Sequence, residues 1–179
     1  MKEYKIETVL QEFKEKYGGY TWVVFDTETL GFCPYRHQMT EIAAAVVESP
    51  FEEWNIVSEF RKKARFTDKT RIRLGTPYTG KGKSYADLLS MTQYGESCGS
   101  WDYVEEEEMI NDFIKYLSQI DNPLLIAHNA PFDMRFLSVR NGIYGKILKD
   151  YKVLDSLAFL KRTFKPSLKT KNGFRLDEI

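Results

Sequence analysis

The chain has 179 residues, of which 42% are hydrophobic, 15% aromatic and 29% charged, and its formal net charge at pH 7 is zero. That is enough for one domain with a real core and too little for two, and the composition excludes disordered and fibrous classes. Zero net charge excludes global steering toward a polyanion, so any nucleic-acid affinity must come from local basic patches or bound cations.

In chain order, Ile6, Val9, Leu10, Phe13 and Tyr17 recur at helical spacing and stop at Gly18-Gly19, which predicts an N-terminal helix over residues 1–20 packing on the domain. Three strands are expected next, Trp22–Asp26, Met39–Val47 and Asn55–Lys63, with connections short enough for an antiparallel meander and a first loop over Thr29–Gln38. Arg61 to Lys83 reads as a basic, loop-like tract, followed by a short helix around Tyr85–Met91. Val104, Met109, Ile110, Phe113, Ile114, Leu117 and Ile120 predict an amphipathic helix, with Glu105–Glu108 as a solvated acidic start. The chain then alternates: strand Leu124–Ala127, helix Pro131–Arg140, strand Tyr151–Leu154, helix Ser156–Phe164. A meander followed by alternation implies an α/β fold, a mixed five-stranded sheet flanked by helices.

No run is long enough to span a bilayer, and Met1-Lys2-Glu3-Tyr4-Lys5 lacks the apolar stretch of a signal peptide. Cys33 and Cys98 have no ligand spacing and read as free thiols, so the cytoplasm is the expected location, with no membrane partner.

The chemistry concentrates in two strand ends. In Val23-Val24-Phe25-Asp26-Thr27-Glu28-Thr29-Leu30-Gly31 an apolar run delivers two carboxylates at i and i+2, which share a face in a strand. Like charges that close repel unless a cation neutralises them, and hard divalent cations take oxygen ligands of this kind. Leu124-Leu125-Ile126-Ala127-His128-Asn129-Ala130-Pro131-Phe132-Asp133 repeats the pattern, with Pro131 suited to a first helical turn and Asp133 just inside it.

Asp-x-Glu-Thr-x-Gly followed by His-Asn-x-x-Phe-Asp resembles the first two motifs of the DnaQ-like DEDD exonuclease superfamily. The resemblance extends to Glu41-Ile42-Ala43 and to Val153-Leu154-Asp155-Ser156-Leu157-Ala158, in the family's order from about Trp22 to Leu176. It implies a ribonuclease-H-like fold over residues 21–179. It also implies a 3′–5′ exonuclease in which Asp26, Glu28 and Asp133 bind two Mg²⁺ or Mn²⁺ ions, which hold the attacking and leaving oxygens of an in-line displacement. The products implied are nucleoside 5′-monophosphates from a single-stranded 3′ end, DNA rather than RNA. By the same resemblance Thr29 and Leu30 meet the terminal nucleotide with a backbone amide and an apolar wedge. Asn129 and Phe132 belong to the same substrate corner, and Glu41 and Asp155 support it. A DNA polymerase or replication complex is the partner the family suggests.

The family's third motif supplies a fourth carboxylate and a general base, as His-x-x-x-x-Asp or Tyr-x-x-x-Asp on a last helix. His128 to Asp133 and Tyr151 to Asp155 match those spacings literally. In the first, however, Asp133 already serves the second motif, and the other lies in an expected strand. The expected domain therefore lacks its C-terminal helix, which puts the chain's activity in question. The alternatives are an RNA 3′-end trimming enzyme of the same superfamily and a catalytically dead nucleic-acid or protein-binding module. Nine basic residues against one acid between Arg61 and Lys83 make that tract either a phosphate-tracking surface or an exposed hairpin.

Overall fold

The computed structural model describes residues 6–48, 51, 54–65, 103–140 and 148–164. Six strands form one sheet: β1 (Thr21–Thr29), β2 (Met39–Glu48), β3 (Asn55–Ala64), β4 (Tyr103–Val104), β5 (Pro123–Ala127) and β6 (Lys152–Asp155), in the order β4-β3-β2-β1-β5-β6. The meander β1-β2-β3 is antiparallel, while β3/β4, β1/β5 and β5/β6 are parallel. The described helices are α1 (Ile6–Tyr17), α2 (Glu106–Leu117), α3 (Ala130–Arg140) and α4 (Ser156–Phe164).

The mixed, ribonuclease-H-like α/β sheet agrees with the expectation, but it has six strands rather than five. The addition is β4, two residues that extend the edge through Ala64↔Val104. Two residues carry no periodicity, so Val104 reads as the start of the helix whereas pairing makes it strand. Likewise Arg61–Ala64 is the end of β3, not loop. The expected helix near Tyr85–Met91, Cys98, the tract beyond Arg65 and the chain after Phe164 lie outside the described residues. Among the described residues no helix is long and apolar enough to cross a membrane.

Alternation along the central strands explains the two-sided core. Val23 and Phe25 of β1 and Leu125 and Ala127 of β5 face one side, where Met109, Ile110, Phe113 and Leu117 of α2 and Phe136 and Leu137 of α3 bury against them. The intervening Trp22, Leu124 and Ile126 face the other side, against Phe13 and Tyr17 of α1. Phe13 is the hub there, edge-on to Trp22 and 4.8 Å from Phe159 of α4. Buried on both faces, β5 reads as an unbroken apolar run. Helix α1 ends where Gly18 N–H donates to Lys14 O, and a Cβ at Gly18 would stand 2.5 Å from that oxygen.

Candidate active site

Asp26 and Glu28 leave β1 on the same side of the sheet, as period two requires, and both reach solvent. Just beyond Glu28 the β1/β2 register shifts, so that Glu28 faces Glu41 but Thr29 faces Met39. The irregularity has its own bonds: Thr40 Oγ1 donates to the Glu28 carbonyl, and Met39 N–H donates to Glu106 Oε1 at 2.8 Å. Glu106, expected to be a solvated helix start, thus ties α2 to the strand end. A bulge at such a position re-aims side chains.

Asp133 arrives from the first turn of α3. It is 2% exposed, and its Oδ1 accepts two bonds from Thr27, from the hydroxyl at 2.5 Å and from the backbone N–H at 3.2 Å. Thr27 points away from its neighbours Asp26 and Glu28, so the variable middle residue of Asp-x-Glu fixes the third carboxylate. Nothing in the sequence marks it, because its partner lies 106 residues away.

Helix α3 is itself held. Asp155, at the end of β6 opposite Ala127, accepts N–H bonds from Asn129 (2.9 Å), Ala130 (3.4 Å) and Leu157 (3.1 Å) on a single oxygen. It caps two helices at once, using amides that helix ends otherwise leave unbonded. Asn129 adopts the left-handed conformation, φ 63°, which asparagine tolerates better than most residues, and its carbonyl accepts Phe132 N–H at 2.8 Å. Asp155→Ala is expected to destabilise the protein by about 1–3 kcal/mol, the scale for orphaned N–H groups at helix starts, while Asp155→Asn keeps most of the stability. Urea unfolding of the two variants measures the difference.

The cluster is electrostatically strained. Burial pushes the Asp133 carboxyl up to about 6, with the Asp26 charge adding to the rise and the Thr27 hydroxyl opposing it. Partial desolvation also raises Glu28, helped by Asp26, Glu41 and Asp133 and opposed by Lys63. Asp26 is raised by desolvation and by Glu41, against a Thr27 backbone bond and His128. His128, whose Nδ1 lies 3.1 Å from Ser156 Oγ, is thus a neighbour of the first carboxylate.

Around this cluster Thr29 Oγ1 donates to Gly31 O and Leu30 N–H donates to Gln38 O at 3.0 Å. The loop between them is braced: Cys33 N–H donates to His37 Nδ1, and a Cβ at Gly31 would meet the His37 ring at 2.7 Å. Phe132 packs on Phe136 and meets the exposed Phe32 edge-on. Glu41 is 8% exposed and bonded by Arg61 Nε at 2.5 Å. The described part of the basic tract is committed to protein contacts: Arg61 to Glu41, Lys62 to Asp112, Lys63 to Glu41, and Arg65 Nε to the Tyr103 carbonyl.

Among the described residues no three His, Cys, Asp or Glu side chains are arranged to hold a metal ion as they stand. The donor set nonetheless suits a hard cation. It is all oxygen, burial raises every member and the Asp26 charge adds to the rise of Glu28 and Asp133, and a cation among them would oppose that rise.

The chain is 30% identical over 149 residues to the PolC-type DNA polymerase III of Clostridium perfringens, a match covering 83% of this chain and 9% of the relative. It is 26% identical over 165 residues to the PolC-type DNA polymerase III of Streptococcus sanguinis, covering 90% of this chain and 10% of the relative. The chain thus spans about a tenth of the length of these curated relatives. In fold it matches a product-bound exonuclease I with a TM-score of 0.58 at 15% identity, over 89% of this chain and 37% of the other. Escherichia coli exonuclease I in complex with a dA16 oligonucleotide matches with a TM-score of 0.54 at 16% identity, over 88% of this chain and 34% of that one. No protein-family model matches the chain.

Proposed function

We propose that the chain is a DnaQ-like DEDD 3′–5′ exonuclease hydrolysing the terminal phosphodiester of single-stranded nucleic acid, DNA in preference to RNA, a reading supported by its PolC-type relatives and its exonuclease I-like fold. The observation that carries the reading is the convergence of Asp26 and Glu28, from the end of β1, with Asp133, from the first turn of α3. These three carboxylates are the residues that would hold a pair of Mg²⁺ or Mn²⁺ ions. Such a pair, when bound, clamps the attacking and leaving oxygens of an in-line displacement and so favours release of nucleoside 5′-monophosphates. Thr27 fixes the orientation of Asp133, and Asp155 fixes the helix that carries it. On the same reading Thr29 and Leu30 meet the terminal nucleotide, and Asn129 and Phe132 belong to the same substrate corner. A zinc-bound form of an exonuclease I–single-stranded DNA complex among the structural neighbours supports a metal-dependent reading. The PolC-type relatives support a replicative DNA polymerase as the partner class.

The test is digestion of 5′-labelled single-stranded DNA and RNA of one sequence with Mn²⁺ or Mg²⁺, with a chelator as control. A ladder shortening from the 3′ end, faster on DNA and absent with chelator, is expected. Faster shortening of RNA would move the reading to an RNA-trimming enzyme. Binding of the labelled strand without any shortening would overturn the enzyme in favour of a binding module.

A further inference from the structure

Three adjacent strands carry one row of charge beside the carboxylate cluster. Glu28 of β1 stands directly opposite Glu41 of β2, and Glu41 directly opposite Lys63 of β3. Residues paired in this way project from the same face and act on one another. Two glutamates side by side repel, and the third member of the row is an ammonium whose side chain has no exposed surface. Lys63 Nζ lies 3.5 Å from Glu41 Oε2, while Arg61 Nε lies 2.5 Å from Oε1. Both oxygens of Glu41 therefore face cations. Arg61 is 46% exposed and its field is screened by water, whereas the fully buried Lys63 is screened much less. A lysine is almost never buried completely unless it is paired. Here the pairing places a fully buried ammonium one strand beyond Glu41.

We propose that Lys63 is a positioning residue that withholds Glu41 from the metal site: paired with Lys63, Glu41 stays outside the cation's ligand set, although it stands beside Glu28. The inference rests on the reading of Asp26, Glu28 and Asp133 as the metal ligands. Removal of the ammonium leaves Glu41 as a fourth carboxylate against Glu28, and a divalent cation then binds more tightly. The pair thus sets how many carboxylates the cation meets, which a merely structural ion pair would not do.

The test is Mn²⁺ affinity of the full 179-residue chain, read from the free-Mn²⁺ electron paramagnetic resonance signal, with no substrate present. Lys63→Met is expected to tighten binding on the order of tenfold, the scale of one unit charge at this range. The same substitution in a Glu41→Gln background, where only the direct field of Lys63 on Glu28 is lost, is expected to tighten binding by less than about threefold. Equal tightening in both backgrounds, or an unchanged affinity in a folded Lys63→Met variant, overturns the proposal. Glu41→Gln, isosteric with the parent, provides an independent arm should Lys63→Met not fold. Affinity within about threefold of the parent is expected there, because Glu41 is not a ligand, and a loss of about tenfold or more overturns the proposal. Asp26→Ala separates the two readings. Mn²⁺ binding that Asp26→Ala weakens but the Lys63 variants leave unchanged sinks only this inference. Parent binding that Asp26→Ala leaves intact, or no parent binding at all, sinks the metal site and the inference with it.

Discussion

Asp133→Asn is expected to lower exonuclease activity by at least ~10²–10³-fold, the scale for removing one electrostatic stabiliser of a transition state, and yet to raise the melting temperature of the metal-free protein near neutral pH. The two effects have one cause. Asparagine keeps an oxygen to accept the Thr27 hydroxyl and amide, so the bonds that fix the side chain survive. What it removes is a charge held where burial and the neighbouring Asp26 resist it. A carboxyl raised from 3.8 to about 6 is ionised near neutral pH at a cost on the order of 1–3 kcal/mol, and the amide avoids that cost. In the proposed reaction the same charge would help to hold a divalent cation. Thermal melts in chelator, run beside the labelled-strand digestion, measure both sides. A variant that loses stability along with activity would mean that Asp133 is a structural carboxylate, not a strained ligand. Asp26→Ala provides the comparison for metal: the Mn²⁺-dependent rise in melting temperature seen in the parent is expected to shrink, because a ligand that binds the native state stabilises it.

The metal-free protein is expected to be more stable at about pH 5 than at about pH 7.5, the reverse of what paired surface carboxylates give. The sign follows from Asp133, whose folded value is raised above that of the unfolded chain, so the native state binds the proton more tightly. Its contribution is fully present below 3.8 and is lost as pH rises through about 6. Over the interval from pH 5 to 7.5 that amounts to about 1 kcal/mol from Asp133 alone. Asp26 and Glu28 are raised as well and add in the same direction. Urea unfolding at the two pH values in chelator checks the result, with Asp133→Asn as the control in which the difference narrows. Saturating Mn²⁺ is expected to flatten or invert the profile, because the cation binds the ionised carboxylates and so favours the state that the bare fold resists.

Much of the fold was legible because it is encoded locally. The β-branched and apolar runs of β1, β2 and β5 and the helical spacing of Met109, Ile110, Phe113, Ile114 and Leu117 locate their elements to within a few residues. The short β4 was not legible, because two residues have no period and their pairing with Lys63 and Ala64 is a tertiary event. The basic tract misled in its described part for a related reason. A count of charges says nothing of which way a side chain points, and β3 turns Lys63 inward to Glu41 and Lys62 to Asp112 on α2.

For the site, the sequence by itself determined the residue types and the strand and helix ends that carry them: Asp26 and Glu28 on one face of one strand, Asp133 in the first turn of a helix. It could do so because side-chain direction in a strand follows from parity alone. Only the tertiary structure decided what holds those groups and what their charges cost. The bond from Thr27 to Asp133 joins positions 106 residues apart, Asp155 caps α3 from another strand, and the row Glu28–Glu41–Lys63 exists only through the register of three strands. Electrostatic interactions fall off with distance in space, not along the chain, and distances between strands are set by register and packing.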